Sequence, residues 1–240
     1  MIAVLSDIHS NLHALDAVLA DIPAVSDIWV LGDTIGGMCP FPCQVLDRLM
    51  GLHIPVTAIL GNWEETMLEV RHNIDPKLRA ERSKITAGVW VIDTLQPHHW
   101  DYLSRLDIKI KIGDALIYHG TPEDTHELIT CQAYAKEVAS RHDSKLLLGG
   151  HTHKPQLYNF GSQKVVNAGS VGQFDGMPGM ACYVLLDGED VSFRNVPYDF
   201  DKAVAAARNS ELYELASEYV EASIAYMYNP VEWDKCMCCI

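Results

Sequence analysis

The sequence predicts an α/β fold in which parallel strands are joined by helices. Three observations carry that expectation. Short apolar runs alternate with segments of helical spacing from the first residues to Gly61. Five of the apolar runs close on a side chain able to bind a metal or a hydrogen bond. After a helical middle, a second set of strands leads into a helical tail.

Ile2–Ser6 is an apolar run ending in a polar turn, which reads as a buried strand. Asn11–Ile22 sets Leu12, Leu15, Val18, Leu19 and Ile22 at helical spacing, and Pro23 follows. Ile28–Gly32 is a second strand, Pro42–Met50 a second helix and Pro55–Gly61 a third strand. From Trp63 to Leu106 the pattern is helical, with Pro97 opening the last helix. Ile108, Ile110 and Ile112 alternate with Lys109 and Lys111, the mark of a half-buried strand. Gly113-Asp114 then turns the chain tightly into Ala115–Tyr118. Glu127–His142 reads as a helix and Leu146–Leu148 as a buried strand. Short strands run from Gln156 to Val196, separated by Gly161, Gly169, Gly176, Gly179 and Gly188. The tail from Asp199 to Tyr228 is helical. Its stripe of Val204, Leu212, Leu215, Tyr219, Ile224 and Met227 is expected to pack into a core.

The 240 residues suit one large domain with a helical appendage, long enough to bury roughly 70% of the unfolded surface. A formal net charge of −14 disfavours non-specific binding to long nucleic acid or an anionic membrane. No apolar run approaches the roughly 18–20 residues of a membrane span. Ile2–Leu5 is too short for a secretory signal and lacks a basic flank, so the expected location is cytoplasmic. The seven cysteines are then reduced thiols, including the cluster Cys236, Cys238 and Cys239.

The chemistry-bearing residues stand where strands end. The first strand leads to Asp7-Ile8-His9, the second to Gly32-Asp33, the third to Gly61-Asn62. The hairpin strand leads to His119-Gly120, and the next to Gly150-His151-Thr152-His153. In a parallel sheet, ligand sites lie at that edge. Each piece alone is unspecific; the joint occurrence points to a metal site. Two divalent ions side by side need a carboxylate able to bridge them. Imidazole and carboxylate without thiolate suit Mn, Fe, Zn, Co or Ni. The ions would make the site net positive inside an acidic protein, which favours a phosphate.

These blocks resemble the calcineurin-like metallophosphoesterase superfamily, whose motifs run D-x-H, G-D-x-x-G, G-N-H-[DE], a single His and G-H-x-H. Here they stand as Asp7-Ile8-His9, Gly32-Asp33-Thr34-Ile35-Gly36, Gly61-Asn62-Trp63-Glu64, His119 and Gly150-His151-Thr152-His153. Ser6-Asp7-Ile8-His9-Ser10-Asn11 and Val166-Asn167-Ala168-Gly169-Ser170-Val171-Gly172 look like the small bacterial and archaeal phosphodiesterase branch. The resemblance covers residues 1–198, with 199–240 as a helical extension packed on that domain. It implies a four-layer α/β/β/α sandwich of two mixed sheets flanked by helices. It also implies two divalent ions, Mn first among them. Asp7, His9, Asp33 and His153 would hold one ion. Asp33, Asn62, His119 and His151 would hold the other, with Asp33 bridging. Asn62 and His151 would serve catalysis by a bridging hydroxide, and Asn62, Asn11 and Trp63 would meet the substrate.

One position departs from the family pattern. Trp63 stands where a histidine linked to protonating the leaving group is common, and indole is no acid. His13 and His126 are substitute candidates. Trp63 is expected either to pack against neighbours or to stack on a nucleobase. The expected activity is hydrolysis of a small or nucleotide-like phosphodiester. A phosphomonoesterase, including a protein phosphatase, is the second reading. The third is a non-catalytic scaffold, as in the related retromer subunit; the intact ligand set speaks against it. The apolar stripe of the tail is the feature that would favour a partner, such as a second copy of the chain.

Overall fold

In the computed structural model, residues 1–74 and 84–228 are described. The cysteine cluster of the tail lies outside them. The first sheet has the order β10-β9-β1-β2-β3, with β1 at Ile2–Leu5, β2 at Asp27–Val30, β3 at Val56–Ala58, β9 at Met180–Asp187 and β10 at Asp190–Pro197. β1, β2 and β3 are parallel, while β9 runs antiparallel to both β1 and β10. The second sheet has the order β4-β5-β6-β8-β7, from Lys109–Ile112, Ala115–Tyr118, Leu146–Gly149, Gln163–Ala168 and Pro155–Phe160 respectively. β5, β6 and β8 are parallel, with antiparallel β4 and β7 at the edges.

Period-2 alternation sorts the side chains into layers. Val4, Trp29, Val184 and Leu186 of the first sheet meet Ala115, Ile117, Leu148 and Val166 of the second. Ala3, Leu5, Ile28 and Val30 point the other way, onto α1 (Leu12–Asp21) and α2 (Pro42–Met50). On the far side, Leu116, Tyr118, Leu147 and Val165 pack on Ala135, Val138 and Ala139 of α6 (Gln132–Ser140). The result is the expected α/β/β/α sandwich of two mixed sheets.

The helical middle resolves into α3 (Asn62–Val70), α4 (Lys84–Thr94) and α5 (Pro97–Leu103). The tail forms α7 (Phe200–Arg208) and α8 (Glu211–Tyr228). Leu212, Ala216, Val220, Ile224 and Met227 bury α8 against Met38, Leu46, Trp90 and Val91. Leu215, counted in the sequence stripe, is instead 38% exposed, because α8 is kinked at Ala216 (φ −138°, ψ 42°) and the buried face shifts there. No helix among the described residues is long and apolar enough to cross a membrane.

Two further boundaries differ from the sequence reading. Asn11 is the N-cap of α1, its Oδ1 accepting the Ala14 N–H at 3.1 Å. Residues 127–131 are not helical; α6 starts at Gln132. The groups at the start of this stretch are engaged elsewhere: the preceding His126 carbonyl accepts from His151 Nε2, and the Glu127 side-chain carboxylate accepts from Thr121 Oγ1 at 3.2 Å. A helix beginning at Glu127 would take the His126 carbonyl for its own ladder.

Candidate metal centre

Asp7 and His9 follow β1, Asp33 follows β2, and Asn62 opens α3 just after β3. His119 follows β5, and His151 and His153 follow β6. The two sheets thus bring all seven sequence-predicted ligands to one shared edge. Six of them form two adjoining groups, Asp7–His9–His153 and Asp33–His119–His151, and within each the ligating atoms lie within 4.8 Å of one another. Asp33 Oδ2 lies between the groups, 3.8 Å from His9 Nε2 and 3.4 Å from His119 Nε2.

The backbone there is held in an unusual conformation. Six non-glycine residues among those described have positive φ: Asp7, His9, Ser10, Asp33, His151 and His153, at 49–68°. Five are ligand candidates. Such a conformation costs about 1–3 kcal/mol per residue and persists only where the surroundings enforce it. Hydrogen bonds between the loops do so here. His9 N donates to the Asp33 carbonyl at 2.9 Å, Asp7 N to Gly32 at 3.1 Å and Gly172 N to Asp7 at 2.9 Å. Gly61 must lack a side chain, since a Cβ would sit 2.2 Å from Asp33 N.

The hydrogen bonds also fix where each lone pair points. His119 Nδ1 donates to the Leu31 carbonyl at 2.7 Å, which in the neutral ring leaves Nε2 as the lone-pair nitrogen toward Asp33. His151 Nε2 donates to the His126 carbonyl at 3.1 Å, which leaves Nδ1 bare. Asp7 Oδ2 accepts the His151 N–H, while Oδ1 is buried without a hydrogen-bond partner and lies 3.2 Å from His153 Nε2. The Asn62 amide faces His119 Nε2 at 3.1 Å; turned over, it would meet that same atom, His151 Nδ1 and Asp33. A focus of converging lone pairs is the arrangement a cation stabilises, and the donor set fits divalent ions.

Electrostatics agree. Burial alone would depress the His119 imidazole, but the Asp33 and Asp7 carboxylates beside it hold its pKa up at about 10. Burial would raise Asp7, yet His153, His119 and His9 hold it well below the usual carboxylate range. Burial and the neighbouring His153 depress His9 to about 4. The two carboxylates favour positive charge beside them, while His9 is held neutral.

A third group, Asp47, His98 and His99, has similar spacing but different chemistry. His99 Nδ1 accepts the Gln96 N–H at 3.1 Å, so the neutral ring carries its proton on Nε2, 3.0 Å from Asp47. That nitrogen donates to the carboxylate and has no lone pair for a metal.

Asn11, expected to meet substrate, does not reach the centre. It is fully buried, with Oδ1 capping α1 and Nδ2 donating to the Gly172 carbonyl at 3.0 Å. His13 packs edge-on against Phe41 and is absent from the wall of the centre. Trp63 lies with its ring against Gly36 and 6.1 Å from Tyr219. It separates the centre from an apolar cavity of about 380 Å³ lined by Met67, Val70, Ile85, Val89 and Ile92, with His126 at its edge.

Sequence reasoning missed three features. Glu64 accepts from Asp33 N, Ile35 N and Gly61 N at 2.8–3.0 Å, tying the second strand end to the third. Burial and the Asp33 charge push this carboxyl up to about 7, against the pull of those donors. Asn167 donates to the Gly150 carbonyl, and Ser170 Oγ donates to the Asp7 carbonyl at 2.8 Å, so the Asn-Ala-Gly-Ser stretch braces both ligand loops. Finally, Tyr219, Ala222, Ser223 and Tyr226 of α8 form one wall of the mouth, opposite His9, Asp33, His151, His153 and Gln173. The cues to Glu64 were its place at the [DE] position of the third motif and its spacing three residues after Gly61, that of a capping box.

The sequence profile of the calcineurin-like phosphoesterase superfamily domain matches residues 1–190. An uncharacterized protein of Methanocaldococcus jannaschii is 28% identical, over 91% of this chain and 96% of its own length. The crystal structure of a metallophosphoesterase from Sphaerobacter thermophilus superposes with a TM-score of 0.79 at 27% identity, covering 93% of this chain and 98% of that one. A hypothetical protein from Pyrococcus horikoshii OT3 shares the fold, with a TM-score of 0.81 at 22% identity over 96% of this chain and all of its own.

Proposed function

The chain belongs to the calcineurin-like phosphoesterase superfamily, and from that premise we propose that it is a metal-dependent phosphodiesterase acting on a small phosphate ester. The observation that carries this reading is the pair of ligand groups around Asp33, with five of their residues held at positive φ. In this reading Asp7, His9, Asp33 and His153 hold one divalent ion, and Asp33, Asn62, His119 and His151 the other. Manganese is the first choice, and Fe, Zn, Co or Ni also suit these donors. Bound there, such ions supply Lewis-acid polarisation of a phosphoryl oxygen and lower the pKa of a water toward neutrality.

The chain's own residues do the positioning. The Leu31 and His126 carbonyls keep His119 and His151 in the tautomers that present a bare nitrogen. Glu64 fixes Asp33 through its backbone. The Trp63 N–H donates to Asp33 Oδ1 at 3.0 Å, which leaves Oδ2 facing the two groups. Asn62 and His151 sit at the mouth, where a substrate phosphoryl group would meet them.

A diester is favoured over a monoester by the charge of the entrance. No lysine or arginine is among the described residues lining it; the wall is tyrosine, serine, alanine, tryptophan and glutamine besides the ligands. A monoanionic diester needs less neutralisation than a dianionic monoester.

The test is reconstitution. Metal-stripped protein reloaded with manganese should take up two equivalents and hydrolyse bis(p-nitrophenyl) phosphate faster than p-nitrophenyl phosphate. Two bound equivalents with no hydrolysis of either ester would remove the enzyme reading and leave the scaffold. Preference for the monoester would replace the diesterase with a monoesterase.

A further inference from the structure

Gln173 is only 7% exposed, and its Nε2 is buried without a hydrogen-bond partner. A buried donor in that condition is rare and calls for a reason. The side chain lies in the wall of the metal centre together with His9, Asp33, His151 and His153. A Cβ built on Gly37 would fall 3.2 Å from Gln173 Nε2 and 2.6 Å from His9 Cβ, so the amide stands beside a ligand. Its backbone is fixed as well. Gln173 N donates to Ser170 Oγ at 2.8 Å, and that hydroxyl donates to the Asp7 carbonyl. Gly172 N donates to the same carbonyl at 2.9 Å.

Of the other polar groups near the mouth, Ser223 and Lys154 are already engaged. Ser223 Oγ donates to the Tyr219 carbonyl at 2.9 Å, and Lys154 pairs with Asp175 at 3.1 Å. Asn62 faces His119. A neutral N–H donor, buried and held rigidly beside the cation ligands, suits an anionic oxygen. We propose that Gln173 is a substrate-contact residue whose Nε2 donates to a phosphoryl oxygen of the ester held at the metal centre. This rests on the phosphoesterase reading above.

The experiment measures inorganic phosphate binding to manganese-loaded protein by calorimetry, with metal content determined on the same samples. In Gln173→Leu, phosphate should bind about tenfold more weakly, equivalent to about 1.4 kcal/mol. Manganese uptake should stay at the wild-type value. Gln173→Glu, which keeps the length and places a carboxylate against the anion, should weaken phosphate further. The kcat/KM for bis(p-nitrophenyl) phosphate should fall in step. A folded, metal-loaded Gln173→Leu that binds phosphate as tightly as wild type overturns the proposal. Should that variant fail to fold or load metal, Gln173→Glu decides by the same comparison. Wild-type protein that loads manganese but neither binds phosphate nor hydrolyses an ester overturns the phosphoesterase reading, and this contact with it. Normal wild-type behaviour beside unaltered variants overturns the contact alone.

Discussion

Glu64 Oε2 accepts the backbone N–H of Asp33 at 3.0 Å, so the residue between the two ligand groups is held by a carboxylate from the next strand end. The same oxygen accepts from Gly61 N at 2.8 Å, and Oε1 accepts from Ile35 N at 3.0 Å. Glu64→Gln keeps the size but can offer one carbonyl oxygen. Its NH₂ would then face the Ile35 N–H, donor against donor. An unsatisfied buried donor costs about 1–3 kcal/mol. Thermal melting should fall by roughly 4–8 °C for a loss of about 2 kcal/mol in a chain of this length. Metal affinity should drop about 10–100-fold, as for other residues that orient ligands. A variant that melts and binds metal like wild type would show that Asp33 is positioned by something else.

Asp33→Asn tests the shared carboxylate directly. Its Oδ2 faces His9 and His119 at 3.8 and 3.4 Å, so the substitution removes a negative charge common to both groups. Several kcal/mol of transition-state stabilisation are at stake, and each 1.36 kcal/mol is a factor of ten. Turnover of a nitrophenyl diester should fall by about 10³-fold or more, with less than two equivalents of metal retained. Wild-type turnover in this variant would refute the shared-carboxylate model.

Trp63→His asks whether the missing acid matters. General acid catalysis is worth about 10²–10⁴-fold and acts most on basic leaving groups. The variant should gain more on an alkyl phosphodiester than on a nitrophenyl one, by about tenfold. It should also lose stability on the order of 2 kcal/mol, because the indole packs on Gly36 and Tyr219 and walls off the apolar cavity. Equal gains on both esters would argue against the acid role.

The convergence of the candidate ligands was legible in the sequence because each follows an apolar run that reads as a strand. The topology then collects the ends of β1, β2, β3, β5 and β6 at one edge. Side-chain commitments were not legible. Asn11 reads equally well as a cap or as a contact until Gly172 is seen to accept from it. Residues 127–131 carry helix-forming types, but His151 takes the carbonyl that a helix would need. Gln173 and the polar edge of α8 gave no periodic signal at all. They became site residues only when α8 packed across the mouth through Leu212, Val220 and Ile224.

His98→Ala provides the control for ligand identity. The Asp47–His98–His99 group matches the centre in spacing, yet His99 Nε2 carries the proton that it gives to Asp47. Metal stoichiometry should be the same in His98→Ala as in wild type. A drop by one equivalent would mean that this surface group binds a metal after all.

Metal removal should destabilise the whole fold and not the centre alone. The ligand loops are stitched to each other, and their residues hold a conformation costing about 1–3 kcal/mol each. Asp7 and Asp33 are buried anions, and His119 is held up at about 10 by them, so cations relieve a concentration of negative charge. An ion that binds the folded chain alone stabilises it by about 2.7 kcal/mol at a free concentration of 100 Kd. For a chain of 240 residues that corresponds to a melting temperature higher by roughly 5–11 °C. The rise should scale with the logarithm of free manganese, vanish with chelator and be absent in Asp7→Asn/Asp33→Asn. A melting temperature indifferent to manganese would mean that the loops are held in place without it, and that the converging lone pairs have another purpose.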